Sequence, residues 1–231
     1  MRGRLILVLA LVGVAVLAGC LSPLPQDDEV DHGDLWDTNE TVTYYFEDNT
    51  FTAVVTVDGF EGNEFEIWQR DPFGGDNPVQ VAGVEFRDTD GEVTQIDDED
   101  IDTSGDRTIV TLPESEGQIA YVAEKRSGEF THPSPVDGSV SVHLREGTDA
   151  RDFFLGRLSP SGYETVSEDP LVVRWDSLER GTYVTIEYYR EGYPAVLVTA
   201  VVLLVIAAGA VVYYYRRRLK EAEEAKLGPE M

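Results

Sequence analysis

The sequence predicts an all-β protein: an antiparallel β-sandwich, as one unit or as two small sandwiches, followed by one C-terminal transmembrane α-helix. Three observations predict it. Short β-prone runs recur from residue 41 to residue 189. Turn dipeptides separate those runs. A 22-residue uncharged run, PAVLVTAVVLLVIAAGAVVYYY, fills residues 194–215 and is long enough to cross a hydrocarbon core of about 30 Å.

The N-terminus comes first. A basic start (Arg2, Arg4) precedes fourteen apolar or small residues, 5–18. That is too short for a comfortable span and has the shape of a secretory signal peptide over residues 1–19. It ends Leu17-Ala18-Gly19-Cys20, and Cys20 is the only cysteine in the chain. These four residues resemble a lipobox, which implies cleavage before Cys20 and lipidation of its thiol. With one cysteine there is no intramolecular disulfide. Residues 20–39, acidic and with two prolines, read as a tether.

The strand runs follow: TVTYYF (41–46), FTAVVTV (51–57), EFEIWQR (64–70), VQVAGVEF (79–86), RTIVTL (107–112) and QIAYVAE (118–124). A Pro/Gly-rich break at 132–138 divides the expected parts, 40–131 and 132–192. SVSVHL (139–144), LVVRW (171–175) and TYVTIEYY (182–189) resume the pattern. In the last run Val184, Ile186 and Tyr188 point one way and Thr185 and Glu187 the other, as in a half-buried antiparallel sheet. One short helix is expected over 149–154, with Thr148 as its cap. The transmembrane helix occupies 193–215, and 216–231 is a cytoplasmic tail. Arg216, Arg217, Arg218 and Lys220 fix that orientation by the positive-inside rule, so residues 21–192 are expected to be extracellular in a single-pass cell-membrane protein. Thr41 and Tyr189 are then expected on the membrane side, unless the tether climbs the sandwich. Nineteen extended residues reach about 65 Å.

Charge narrows the class further. Residues 21–192 hold 40 acidic and 11 basic side chains, and only one of the eleven, Lys125, is lysine. Recurrent apolar runs exclude a disordered acidic tail. The composition reads as a salt-adapted surface, and its sign disfavours nucleic acid. The lipobox-like start, acidic β ectodomain and Arg-stopped last helix resemble an uncharacterised haloarchaeal family, a domain of unknown function. Residues 154–163, Arg174-Trp175 and Tyr188-Tyr189 also look like β-sandwich modules found just outside archaeal membranes. The resemblance implies no activity and no cofactor.

Candidate chemistry is sparse. His32, His132 and His143 lie in the tether, the Pro-rich turn and a strand, with no zinc-type spacing. No G-x-S-x-G is present, and no residue is singled out as catalytic or cofactor-binding. The oxygen ligands closest in spacing to a Ca²⁺ or Mg²⁺ set are Asp88, Asp90, Asp97, Asp98, Asp100 and Asp102, although no full EF-hand pattern runs through them. The leading reading there is a solvated acidic loop. Asn39-Glu40-Thr41 is a sequon, so Asn39 is a glycosylation candidate. The expectation is a non-enzymatic surface protein anchored in the lipid bilayer, with a binding or envelope-structural role and a membrane or surface-layer protein as partner. The alternatives are an accessory subunit of a membrane transport, secretion or respiratory complex and, third, an extracytoplasmic hydrolase.

Overall fold

The computed structural model describes residue 30 and residues 32–59, 63–70, 74–151 and 155–226. The signal segment 1–19 and Cys20 lie outside the described residues.

The first strands are β1 (Val42–Phe46), β2 (Thr50–Asp58), β3 (Glu64–Arg70), β4 (Asp76–Pro78), β5 (Val81–Arg87) and β6 (Val93–Gln95). Then come β7 (Ile101–Asp102), β8 (Thr108–Thr111), β9 (Glu116–Glu124), β10 (Glu129–Pro133), β11 (Gly138–His143) and β12 (Thr148–Asp149). The last are β13 (Arg157–Ser159), β14 (Glu164–Glu168), β15 (Leu171–Leu178), β16 (Tyr183–Glu187) and β17 (Tyr189–Arg190), followed by helix α1 (Tyr193–Lys226). All nine expected runs form strands.

An eight-stranded sheet runs β14-β15-β11-β1-β2-β9-β5-β6. Its pairs are antiparallel except β1 with β11, which run parallel with Val42 opposite Val140. The opposing layer consists of β10-β16-β13 and β4-β3-β8-β7. One hydrophobic core joins the layers. Val42, Phe51, Tyr121, Val140 and Trp175 enter it from the large sheet, and Phe65, Val110, Phe130, Val184 and Ile186 from the other side. Along β2 the core residues Phe51, Ala53, Val55 and Val57 alternate with Thr52, Val54 and Thr56 on the other face, the pattern of an antiparallel sheet with one face packed on the core. At the edges the pattern reverses: β6 is exposed throughout, and β14 carries Glu164 and Glu168 with a bulge around Val166. Charge and a bulge are the usual protections of an open edge.

Two expectations are corrected here. The break at 132–138 separates no units, because strands from 40–131 and 132–192 share both the large sheet and the core. His132 and Pro133 belong to β10, paired with Val184 and Tyr183. The helix expected over 149–154 does not begin as one. Thr148 and Asp149 pair with Arg190 and Tyr189 as β12 and β17, and residues 152–154 lie outside the described residues.

The end of the sandwich from which α1 leaves is the helix end. β16 runs toward it, β9 finishes there with Glu124 opposite Thr50, and β1 finishes there at Phe46. Thr41 stands at the far end, where its carbonyl accepts the Thr56 N–H at 2.8 Å. The chain therefore climbs the sandwich before entering β1. It does so as a docked strap. The 3₁₀ turn Gly33–Trp36 buries Trp36 against Val54 and Ala120 on the outer face of the large sheet. His32 is buried as well, its Nε2 2.6 Å from the Gly83 carbonyl oxygen. Gly83 has φ +55°, and a Cβ there would lie 2.5 Å from the Val30 Cβ, so only glycine lets the strap close. Arg87 fastens the other end, donating to the Trp36 carbonyl at 2.9 Å and to Asp37 at 3.2 Å. Residues 32–39 are thus part of the fold and not a free tether.

Helix α1 extends through the arginine run, past the expected end at residue 215. Tyr193–Arg217 is long and apolar enough to cross a membrane, and none of that window is buried against the sandwich.

Candidate functional site

The acidic residues are placed first. Asp88 and Asp90 sit in the β5–β6 hairpin, where an Asp88 carboxylate oxygen accepts the N–H groups of Asp90 and Glu92 at 2.8 and 2.9 Å. Asp97, Asp98 and Asp100 belong to a short 3₁₀ turn and Asp102 to β7, in the other layer. The Asp102 carboxylate accepts from Ser104, which lowers its pKa. The six carboxylates thus divide between two turns on different sheets. Among the described residues no group of three or more His, Cys, Asp or Glu is placed to hold a metal ion. Asn39 is exposed at the far end, where the Thr41 N–H donates to the Ser139 hydroxyl at 3.1 Å.

The far end also holds an open cleft of about 610 Å³ lined by Asp58, Arg87, Asp88, Asp90, Glu116 and Gly117. Its one cation, Arg87, is committed to the strap and to Gln118. The cleft therefore presents carboxylates and spent donors.

The three histidines stand apart from one another in the fold. Those of the strap and β10 are buried, and the His143 ring lies 4.6 Å from Tyr45 on the outer face. Burial lowers the pKa of His143.

The denser arrangement is at the helix end, which composition had marked only by its single lysine. Lys125 is buried just past β9. Its Nζ donates to the Asp48 carbonyl at 2.9 Å and to the Tyr188 hydroxyl at 2.6 Å, between the rings of Phe46 and Tyr188. Burial pushes it down to about 8, against a weaker opposing pull from Glu47. Burial raises the Tyr188 phenol. The junction with α1 is tied by backbone as well. Tyr188 N–H donates to the Gly128 carbonyl at 2.9 Å, and Glu191 N–H to the Gly147 carbonyl at 3.1 Å. Turns 125–128 and 145–148 are therefore fixed to the last residues before the helix. Arg145 pairs with Asp48, Arg151 with Asp149 at 2.9 Å and Arg157 with Glu187 at 3.8 Å. Two further arginines, Arg126 and Arg190, are exposed at this end.

Residues 38–229 match a family of unknown function, DUF5803. The chain belongs to that family. The DUF5803 match begins where the strap reaches β1 and runs through the sandwich into the helix, so it takes in the helix-end junction and both expected parts of the sandwich. No curated protein and no solved structure matches the chain.

Lys125 makes a measurable prediction. Its folded pKa lies below the unfolded value of about 10.4, so between the two the unfolded chain binds more protons and stability rises with pH. Lys125→Met is expected to flatten the rise in urea midpoint between pH 8 and 9.5, a window below Tyr188 titration. An unchanged slope would show that Lys125 is not the group responsible.

Proposed function

We propose that this is a membrane-anchored extracytoplasmic β-domain protein of a halophilic archaeon, with a binding or envelope-supporting role and no catalytic activity. One observation carries the reading. The last strand, β17, continues after two residues into a helix whose apolar window within Tyr193–Arg217 is unburied, with backbone hydrogen bonds tying the junction on both sides. The sandwich is thus held against whatever layer the helix occupies. The arginines after Tyr215 favour a cytoplasmic C-terminus, which leaves residues 21–192 outside the cell. The Leu17-Ala18-Gly19-Cys20 sequence supports a second, lipid anchor, the pairing of signals that stable attachment requires. The acidic, lysine-poor surface supports a high-salt habitat. The non-catalytic reading is supported by the engagement of buried polar groups in the fold itself: Thr108 donates to the Val79 carbonyl at 2.6 Å, and Ser134 to the Val136 carbonyl at 2.7 Å.

Cross-linking in native membranes followed by mass spectrometry tests the role. Cross-links to surface-layer protein, or to no single stoichiometric partner, are expected. One stoichiometric membrane partner would replace this reading with that of a complex subunit. Protease protection in intact cells tests the orientation: cleavage of the acidic domain from outside is expected, and full protection would overturn the anchored extracytoplasmic reading.

A further inference from the structure

We propose that the helix end of the sandwich is a docking surface for anionic lipid headgroups, with Arg126 and Arg190 as the groups that take lipid phosphate. This rests on the membrane-anchored reading above.

The argument is one of pairing. Acidic side chains outnumber basic ones in residues 21–192 by 40 to 11, so a guanidinium there has carboxylates within easy reach. Seven of the eleven basic residues are in ion pairs. Of the other four, Arg70 lies 4.0 Å from the centre of the Tyr183 ring, and Lys125 is hydrogen-bonded and buried. Arg126 and Arg190 remain. Among the described residues neither has a carboxylate partner or an aromatic ring, and both are exposed. Both also stand at the helix end. Arg190 closes β17, three positions before Tyr193, and Arg126 lies in the turn whose Gly128 carbonyl accepts the Tyr188 N–H.

Their setting favours phosphate over protein. The ion pairs of Arg145, Arg151 and Arg157 engage four nearby carboxylates, Asp48, Asp149, Glu168 and Glu187. Glu47, Glu124, Glu129, Glu146 and Glu191 are also exposed at this end, so the contact rests on the two guanidinium forks and not on net charge. The planar guanidinium fork matches phosphate in two parallel hydrogen bonds. Such a contact acts at hydrogen-bond length, inside the screening length of about 3 Å at molar salt, whereas long-range steering is lost. The tied junction fixes the distance from both arginines to the helix start, and so holds headgroups at high effective concentration. A dissolved phosphate has no such tether, and these open turns do not enclose it.

The test uses the full chain with Cys20→Ser and a spin label on Ser127→Cys, in nanodiscs of phosphatidylglycerol or of phosphatidylcholine, at a salt concentration where the chain is folded. In phosphatidylglycerol the label is expected to be shielded from a water-soluble nickel chelate. In the Arg126→Gln/Arg190→Gln chain its accessibility is expected to rise severalfold. A label on Thr89→Cys, at the far end, is expected to stay accessible throughout. Equal accessibility at residue 127 with and without the arginines, or equal shielding in phosphatidylcholine, overturns the proposal while leaving the anchor intact. A chain that does not insert through residues 193–217 overturns both.

Discussion

Phe51→Ala is expected to destabilise the sandwich by about 3–5 kcal/mol, a loss typical of emptying a well-packed aromatic site. Phe51 is fully buried and central to an aromatic group that joins the layers. Its ring centre lies 4.8 Å from His132, 5.2 Å from Phe130 and 5.7 Å from Tyr44. Phe130 and His132 belong to β10, so the truncation opens a cavity between sheets, where the backbone of neither layer can close it. With total stabilities of about 5–15 kcal/mol for domains of this kind, the variant is expected to lose a large part of its urea midpoint. Val93→Ala, on an exposed edge strand, is the contrast, expected within about 0.5 kcal/mol of the parent. Equal midpoints for the two variants would refute the shared core.

Acid is expected to weaken the same aromatic group. Burial between Phe51 and Phe130 pushes His132 down to about 4, and a hydrogen bond to the Trp68 backbone opposes this only in part. The folded value lies below the unfolded one, so the unfolded chain takes up the proton first as pH falls. The stability held above about pH 6.5 is therefore lost as pH drops toward 4. At about 1.4 kcal/mol per pH unit, the loss approaches 3 kcal/mol. His132→Phe keeps the stacking and removes the titration. Its urea midpoint, measured against the parent from pH 7 to 4, is expected to fall less steeply. The carboxylates titrate in both chains and cancel in that comparison. Parallel curves would mean that His132 is not the acid-labile group.

The strands legible in the sequence were those whose own residues demand a sheet. Thr52 to Val57 alternates or branches at nearly every position, and β2 forms there with its core side chains on one face. The strands that could not be read are imposed from outside. Asp76–Pro78 has no strand preference, but Gln69 and Arg70 pair with it. Thr148 and Asp149 look like the start of a helix, and Tyr189 and Arg190 draw them into a ladder. Pro133 suggested a break, yet proline is tolerated where a strand ends. The strap was half visible: Trp36 is an odd residue for a free tether, but its site on Val54 and Ala120 depends on strands far along the chain. At the helix end the rarity of lysine was a signal in plain view. That Lys125 meets Tyr188, and that Arg126 meets no carboxylate among the described residues, depends on turns brought together only by the fold.

The parallel pair of β1 and β11 has a consequence for the order in which the molecule can assemble. Val42 meets its β2 neighbour Val55 within a short hairpin, but its β11 neighbour Val140 lies 98 positions downstream. A parallel partner so distant raises the loop-closure entropy of the pairing and slows folding. A chain still emerging from a ribosome, with residues beyond 138 not yet delivered, therefore has β1 as an open edge and lacks Val140, Trp175 and Ile186 from its core. Until they arrive the core is incomplete. The sandwich closes only when β15 and β16 are delivered, just ahead of α1.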